Sequence, residues 1–157
     1  MFSSFFPFLI VGITCGILIY VAFVDWKDYK INNESVVLIA ALYLFYVFAT
    51  GTWSEVWSHL AISLAIFLVM LVCFKYGLLG GGDAKLLTVA FLWVGLDCAL
   101  LFSVGMLAIS TLHAGLVHFG LAGAQTINGR RRIPYGPAIA GALLIVFTSG
   151  CFPHSTQ

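Results

Sequence analysis

The stretch FFPFLIVGITCGILIYVAFV, residues 5–24, carries no charged residue and is followed at once by DWKDYKINN, residues 25–33. About twenty consecutive apolar residues are what an α-helix needs to cross the hydrocarbon core of a bilayer. The first segment therefore reads as a membrane-spanning helix, and the second as the polar turn at its end. Met1 to Ile10 contains no Lys or Arg. A cleaved signal peptide wants a basic start and a small-residue cleavage site, so the run reads as a retained helix.

The rest of the chain agrees with this opening. Of its 157 residues, 62% are hydrophobic and 8% are charged. Soluble domains carry about 25% charged residues. The mean hydropathy of +1.08 makes lipid the natural solvent. The length suits one compact bundle over residues 1–157, with no room for a soluble domain beside it. A net charge of +1 offers no basic patch for nucleic acid. The expected class is all-α, a polytopic membrane bundle of about six transmembrane helices.

Further apolar runs extend over about residues 36–50, 60–74, 86–96, 99–121 and 134–152. The run at 86–96 is short for a full crossing, as for a tilted or buried helix, and Asp97 marks its end. Gly51 to Ser58 reads as a mildly polar connection with Trp53 and Trp57 at headgroup level. Six spans put loops 1, 3 and 5 on one side of the membrane. Lys27 and Lys30 fall in loop 1, Lys75 and Lys85 in loop 3, and Arg130, Arg131 and Arg132 in loop 5, which accounts for all seven basic residues. Positive charge stays cytoplasmic, so these loops face the cytoplasm and both termini face outside. Merging the fourth and fifth runs would break this partition.

Few residues can carry chemistry. Asp25, Asp28, Glu34 and Asp83 lie on the expected cytoplasmic side. Ionisable residues at a membrane boundary are costly unless paired or solvated, and they mark functional sites. Asp25 ends the first span, and Asp83 precedes the fourth in the segment GGGDAKLL, residues 80–87. Two carboxylates brought together share one proton. One can then take a proton from water while the other donates to a carbonyl, which is general acid–base hydrolysis of an amide. Glycines in the segment let the backbone approach a substrate strand. The phosphate-loop pattern is absent. The plainer alternative is an interhelical turn with Asp83 capping a helix. No metal or other cofactor is expected. Cys15, Cys73, Cys98 and Cys151 are scattered, without paired spacing, and read as small apolar fillers.

Three segments resemble those of the prepilin peptidases, which share a GxGD motif with the archaeal preflagellin peptidases. DWKDYKINN (25–33) is similar to the family's Asp, basic stretch and Ile/Leu-Pro-Asn/Asp. GGGDAKLL (80–87) resembles its GxGD-x-K-L-L segment. IPYGPAIA (133–140) resembles the Pro-Tyr/Phe-Gly-Pro string that opens its last helix. The resemblance implies an aspartyl endopeptidase with Asp25 and Asp83 as the catalytic pair, supported by Gly80, Gly82 and Lys85. It implies a pilin-like precursor as partner, with a basic leader cut after a glycine and an apolar helix beside the bundle in the lipid. Asp28 and Glu34 would meet that leader or simply form a solvated loop face. Asp28 rivals Asp25, and the family register favours Asp25 because Ile31 and Asn33 then fall at the expected offsets.

Two departures stand out. Asn32 replaces the family's usual proline, loosening the start of the second span. The soluble Cys-containing loop of the large bifunctional members is missing, so methyltransferase activity is not expected. The short form resembles the peptidases of Flp-type (tight adherence) pilus systems. Presenilin-like proteases also use GxGD but pair it with Tyr-Asp, and here Val24 precedes Asp25. A small transporter using the same acids for proton relay is the main alternative, and a structural membrane subunit is another.

The remaining polar residues have plain readings. Lys85 could tune Asp83, bind a lipid headgroup or set topology. His113 and His118 are five residues apart, unlike the helical zinc pair, and suit hydrogen bonding inside the bundle. His59 and His154 fall near the opposite face. Arg130–Arg132 read most simply as topology anchors, with contact to anionic lipid as the second option.

Overall fold

The computed structural model describes residues 2–120, 125–127, 130–132 and 134–151. Six helices account for nearly all of them: α1 (Phe2–Asp28), α2 (Asn33–Thr50), α3 (Trp53–Lys75), α4 (Gly81–Val94), α5 (Ala99–His118) and α6 (Gly136–Thr148). The chain is thus an all-α membrane bundle, with one small addition in the fifth loop. There β1 (Gln125–Ile127) pairs antiparallel with β2 (Arg130–Arg132), Gln125 opposite Arg132.

Four helices, α1, α2, α3 and α5, are long and apolar enough to cross a membrane. The other two are short. At about 1.5 Å per residue, the 14 residues of α4 and the 13 of α6 reach about 20 Å, against a hydrocarbon core of about 30 Å. The expected bundle of about six helices is present, as four long helices and two short interior ones, and the run at 86–96 is short as expected.

The short helices form the middle of the molecule. α1, α2, α4 and α6 close a ring of contacts in which α1 and α4 occupy opposite corners. α3 packs on the outside of α4, and α5 on the outside of α6. Eight side chains of α4 and eight residues of α6 are buried, whereas α3 buries only His59 and Ser63, and α5 only Phe102 and His113. The long outer helices turn residues such as Leu64, Leu68, Val72, Leu107 and Leu112 outward. In water that would be ruinous; in lipid there is no hydrophobic penalty for it, and polar groups are the ones that must be enclosed.

Polar and small residues supply the specific joints. Ser63 Oγ donates to the Thr88 carbonyl at 2.8 Å, and His59 Nδ1 lies 2.8 Å from the Leu92 carbonyl, which fastens α3 to α4. Trp93, fully buried, donates from Nε1 to the Ile39 carbonyl at 3.0 Å and sits among Tyr43, Tyr46 and Phe147. Between α5 and α6 the backbones approach at Gly105, where an added Cβ would lie 3.6 Å from that of Ala142.

The turns are short. Tyr29 ends α1 in the left-handed region at φ 52°, an unusual place for an aromatic residue. Asn32, at φ −73° and ψ 131°, then leads into α2. That φ is the one a proline ring would impose, so the backbone keeps the expected shape without the ring. Gly51, at φ 73°, closes α2 with a left-handed cap, its N–H bonded to the Val47 carbonyl at 2.8 Å. α3 starts at Trp53, seven residues before the expected position. Ser54 and Glu55 are polar because they form its first turn, where an acid suits the helix N-terminus.

The reading of all four cysteines as isolated fillers is corrected. Cys98, in the α4–α5 turn, and Cys151, just after α6, form a disulfide with Cα atoms 5.9 Å apart. Cys15 and Cys73 are free.

Candidate active site

One end of the bundle gathers the acids. The end of α1, the start of α2 and the first turns of α4 and α6 meet there, joined by contacts that each name two elements. Lys85 Nζ of α4 donates to Asn33 Oδ1 of α2 at 2.9 Å. A Cβ placed on Gly82 would lie 3.0 Å from the Ile31 Cβ, so the α1–α2 turn rests directly on the α4 backbone. A Cβ on Gly81 would lie 3.3 Å from the Phe74 ring at the end of α3. The Gly136 N–H at the start of α6 donates to Asp25 Oδ2 of α1 at 2.8 Å.

Asp25 is 4% exposed, three residues from the end of α1. A helix N-terminus leaves its first N–H groups without partners inside the helix, and lipid offers none. Asp25 meets that need from a neighbouring helix. The contact is possible only because residue 136 is glycine: a Cβ there would stand 2.7 Å from Asp25 Oδ2 and 2.8 Å from Asp25 Cβ. Pro134 and Pro137 flank the position and set where α6 begins. This residue was missed as a site residue. Its sequence signal was the Pro-Tyr-Gly-Pro string with one glycine held between prolines at the head of an apolar run.

Asp83 occupies the third position of α4, half-buried. The residue in the N-cap position is Gly80, not Asp83. The Asp83 carboxylate folds back over Gly80, where an added Cβ would meet its Oδ2 at 2.6 Å. The two acids are therefore alike in one respect. Each stands at the N-terminus of a short interior helix, Asp83 from within α4 and Asp25 from outside α6. They lie at the same end of the bundle, on the two helices at opposite corners of the ring.

The glycines let other parts of the protein approach closely. Gly80 has an ordinary extended backbone, φ −73° and ψ 146°, and Gly81 and Gly82 belong to the helix. The space left by their missing side chains is filled by Asp83, Phe74 and Ile31 of the protein itself. Lys85, exposed, engages Asn33 and so braces α4 against α2.

Asp28 and Glu34 are both exposed at this end, one on the last turn of α1 and one on the first turn of α2. Burial thus separates Asp25 from its rival Asp28. His59 is buried near the opposite end, against Gly95 and stacked on Tyr43. His154 lies outside the described residues, as does Ile133 of the third motif. Internal hydrogen bonding was expected for both histidines of α5, and this is corrected. His118 is exposed, and His113, although buried, has no hydrogen-bond partner for Nε2 among the described residues; its ring stacks on Trp26. Among the described residues no three His, Cys, Asp or Glu side chains cluster as metal ligands would.

A sequence model of the Type IV leader peptidase family matches residues 12–121, more than two thirds of the chain. The match takes in Asp25 and the Gly80–Asp83 segment and stops before α6. No curated protein and no solved structure matches the chain.

Proposed function

Because the chain belongs to the type IV leader peptidase family and is a membrane protease of that kind, we propose that it removes the basic leader of a pilin-like precursor at the cytoplasmic face, with Asp25 and Asp83 as an aspartyl pair. The observation that carries the reading is the Gly136 N–H bond to buried Asp25. It holds a carboxylate in a fixed orientation at the same end of the bundle as the GxGD acid. Fixed orientation is what general acid–base catalysis requires.

In the proposed reaction one carboxylate removes a proton from water as the oxygen attacks the scissile carbonyl. The protonated partner donates to the developing oxyanion. Collapse of the tetrahedral intermediate expels the amine, which takes the proton the first carboxylate had removed from water, while the hydroxyl formed from the carbonyl oxygen returns its proton to the second, so both acids regain their starting states. With Oδ2 of Asp25 committed to Gly136, its Oδ1 is the oxygen assigned to the water.

Two independent features support the proposed membrane orientation. All seven basic residues lie in the α1–α2, α3–α4 and α5–α6 connections or in the helix ends that flank them. The Cys98–Cys151 disulfide lies at the other end, and disulfides persist in oxidising compartments, outside the cytoplasm. Both support a cytoplasmic acid end and external termini. Asp28 and Glu34 are then exposed where a basic leader arrives, giving charge complementarity. The whole chain acts as one peptidase domain, with no cofactor in the reaction.

The test is incubation of membranes containing the protein with a full-length precursor, followed by mass mapping of the products. One cut at the junction of basic leader and apolar helix is expected. A cut within the apolar helix, or none, overturns the reading.

A further inference from the structure

α1 and α5 both pack on α6 and not on each other. They meet across it through one pair of rings: Trp26, the residue after Asp25, and His113, with centroids 4.9 Å apart and planes inclined by 25°. His113 is 6% exposed, yet its Nε2 has no hydrogen-bond partner among the described residues. Ser110, three residues earlier and so on the same face of α5, has an Oγ that is likewise buried without a partner.

A buried polar atom without a partner costs about 1–3 kcal/mol. Two such atoms one helical turn apart on α5, with the imidazole stacked on the residue that follows the proposed catalytic acid, call for a visitor that brings hydrogen-bonding groups with it. The proposed substrate is such a visitor. A peptide bond can be hydrolysed only where the apolar helix of the precursor is unwound, and unwinding at the membrane boundary frees main-chain N–H and C=O groups that lipid cannot satisfy. Each side lacks what the other holds. Phe23 of α1 and Leu112 and Leu116 of α5, each within three residues of Trp26 or His113, are exposed apolar side chains, which suit an apolar helix arriving from the lipid.

We propose that Ser110 and His113, with the ring of Trp26 holding the imidazole in place, bind the unwound main chain of the precursor beside the scissile bond. They are substrate-positioning residues, and the inference rests on the peptidase reading above. The Trp26–His113 stack fixes the imidazole plane, so Nε2 presents at one angle, and Ser110 supplies a second contact one helical turn away.

The test is steady-state cleavage of a precursor by the full-length protein in lipid, over a range of precursor concentrations. His113→Phe keeps the stack and removes Nε2; KM should rise about tenfold with kcat within about twofold. His113→Gln restores a polar end and should bring KM back to within about threefold of the parent. Ser110→Ala, a change too small to disturb packing, should raise KM by about threefold or more. Unchanged KM in both His113→Phe and Ser110→Ala, or equal losses in the Phe and Gln variants, overturns the inference and leaves the peptidase reading standing. Absence of cleavage by the parent protein overturns the peptidase reading itself, and the inference falls with it.

Discussion

The two ends of this bundle are held by different means. At the disulfide end, a covalent bond ties the α4–α5 turn to the segment after α6, and His59 packs into the hollow of Gly95. At the acid end, the contacts among the described residues include hydrogen bonds and glycines too small to keep neighbours away: Gly136 with Asp25, Gly82 with Ile31, Lys85 with Asn33. Both ends terminate the same two interior helices. The comparison teaches a division of labour. α4 and α6 are tied covalently at the end away from the proposed site, and are placed by hydrogen bonds and close backbone packing at the end where the proposed substrate would be admitted.

Adding one methyl group at the acid end should have the largest effect. Gly136→Ala puts a Cβ where the Asp25 carboxylate now lies. The acid loses its donor and its orientation. Misplacing a reacting group by about 1 Å costs about a hundredfold in rate, so precursor cleavage should fall at least that far. The protein should still reach the membrane with the Cys98–Cys151 bond formed, as judged by mobility with and without reductant. Cleavage near the parent rate would mean that the Gly136 contact does not serve catalysis.

The disulfide end should respond in the opposite sense. Cys98→Ser with Cys151→Ser removes the clamp, and losing a native disulfide costs about 2–4 kcal/mol of stability. Thermal denaturation in a fixed detergent–lipid mixture should show the loss. Cleavage at a temperature where the variant stays folded should remain within about threefold of the parent. A deep loss of activity with intact stability would erase the contrast between the ends.

Much of this was legible in the sequence, and the limits have physical causes. Charge-free runs identify α1, α2 and α5 because lipid demands them. The alternation of charged loops predicts which helix ends share a face, and the structure has them meet there. The short runs misled. Gly80–Asp83 reads as a loop because glycine and aspartate favour turns, yet Gly81–Asp83 form the first turn of α4, stabilised by Phe74 and Ile31 lying against their bare backbone. Trp53 to Ser58 reads as a connection because it is polar, yet it is helical. Cys98 and Cys151 are 53 residues apart, and the packing of α4 and α5 against α6 brings them together. For the site, Asp25 and Asp83 stood out as acids at span boundaries. Gly136 and His113 did not: one meets Asp25 through its main-chain N–H and the absence of a side chain, the other stacks on Trp26 of a different helix.

The central claim is that Asp25 and Asp83 act as a pair on one peptide bond. Asp25→Asn and Asp83→Asn preserve shape and remove the acid, and each should be measured for precursor cleavage in membranes at matched protein levels. General acid–base groups contribute about 10²–10⁴-fold, so the account predicts that each variant alone loses cleavage by about a thousandfold. Cleavage by either variant within about tenfold of the parent would contradict it.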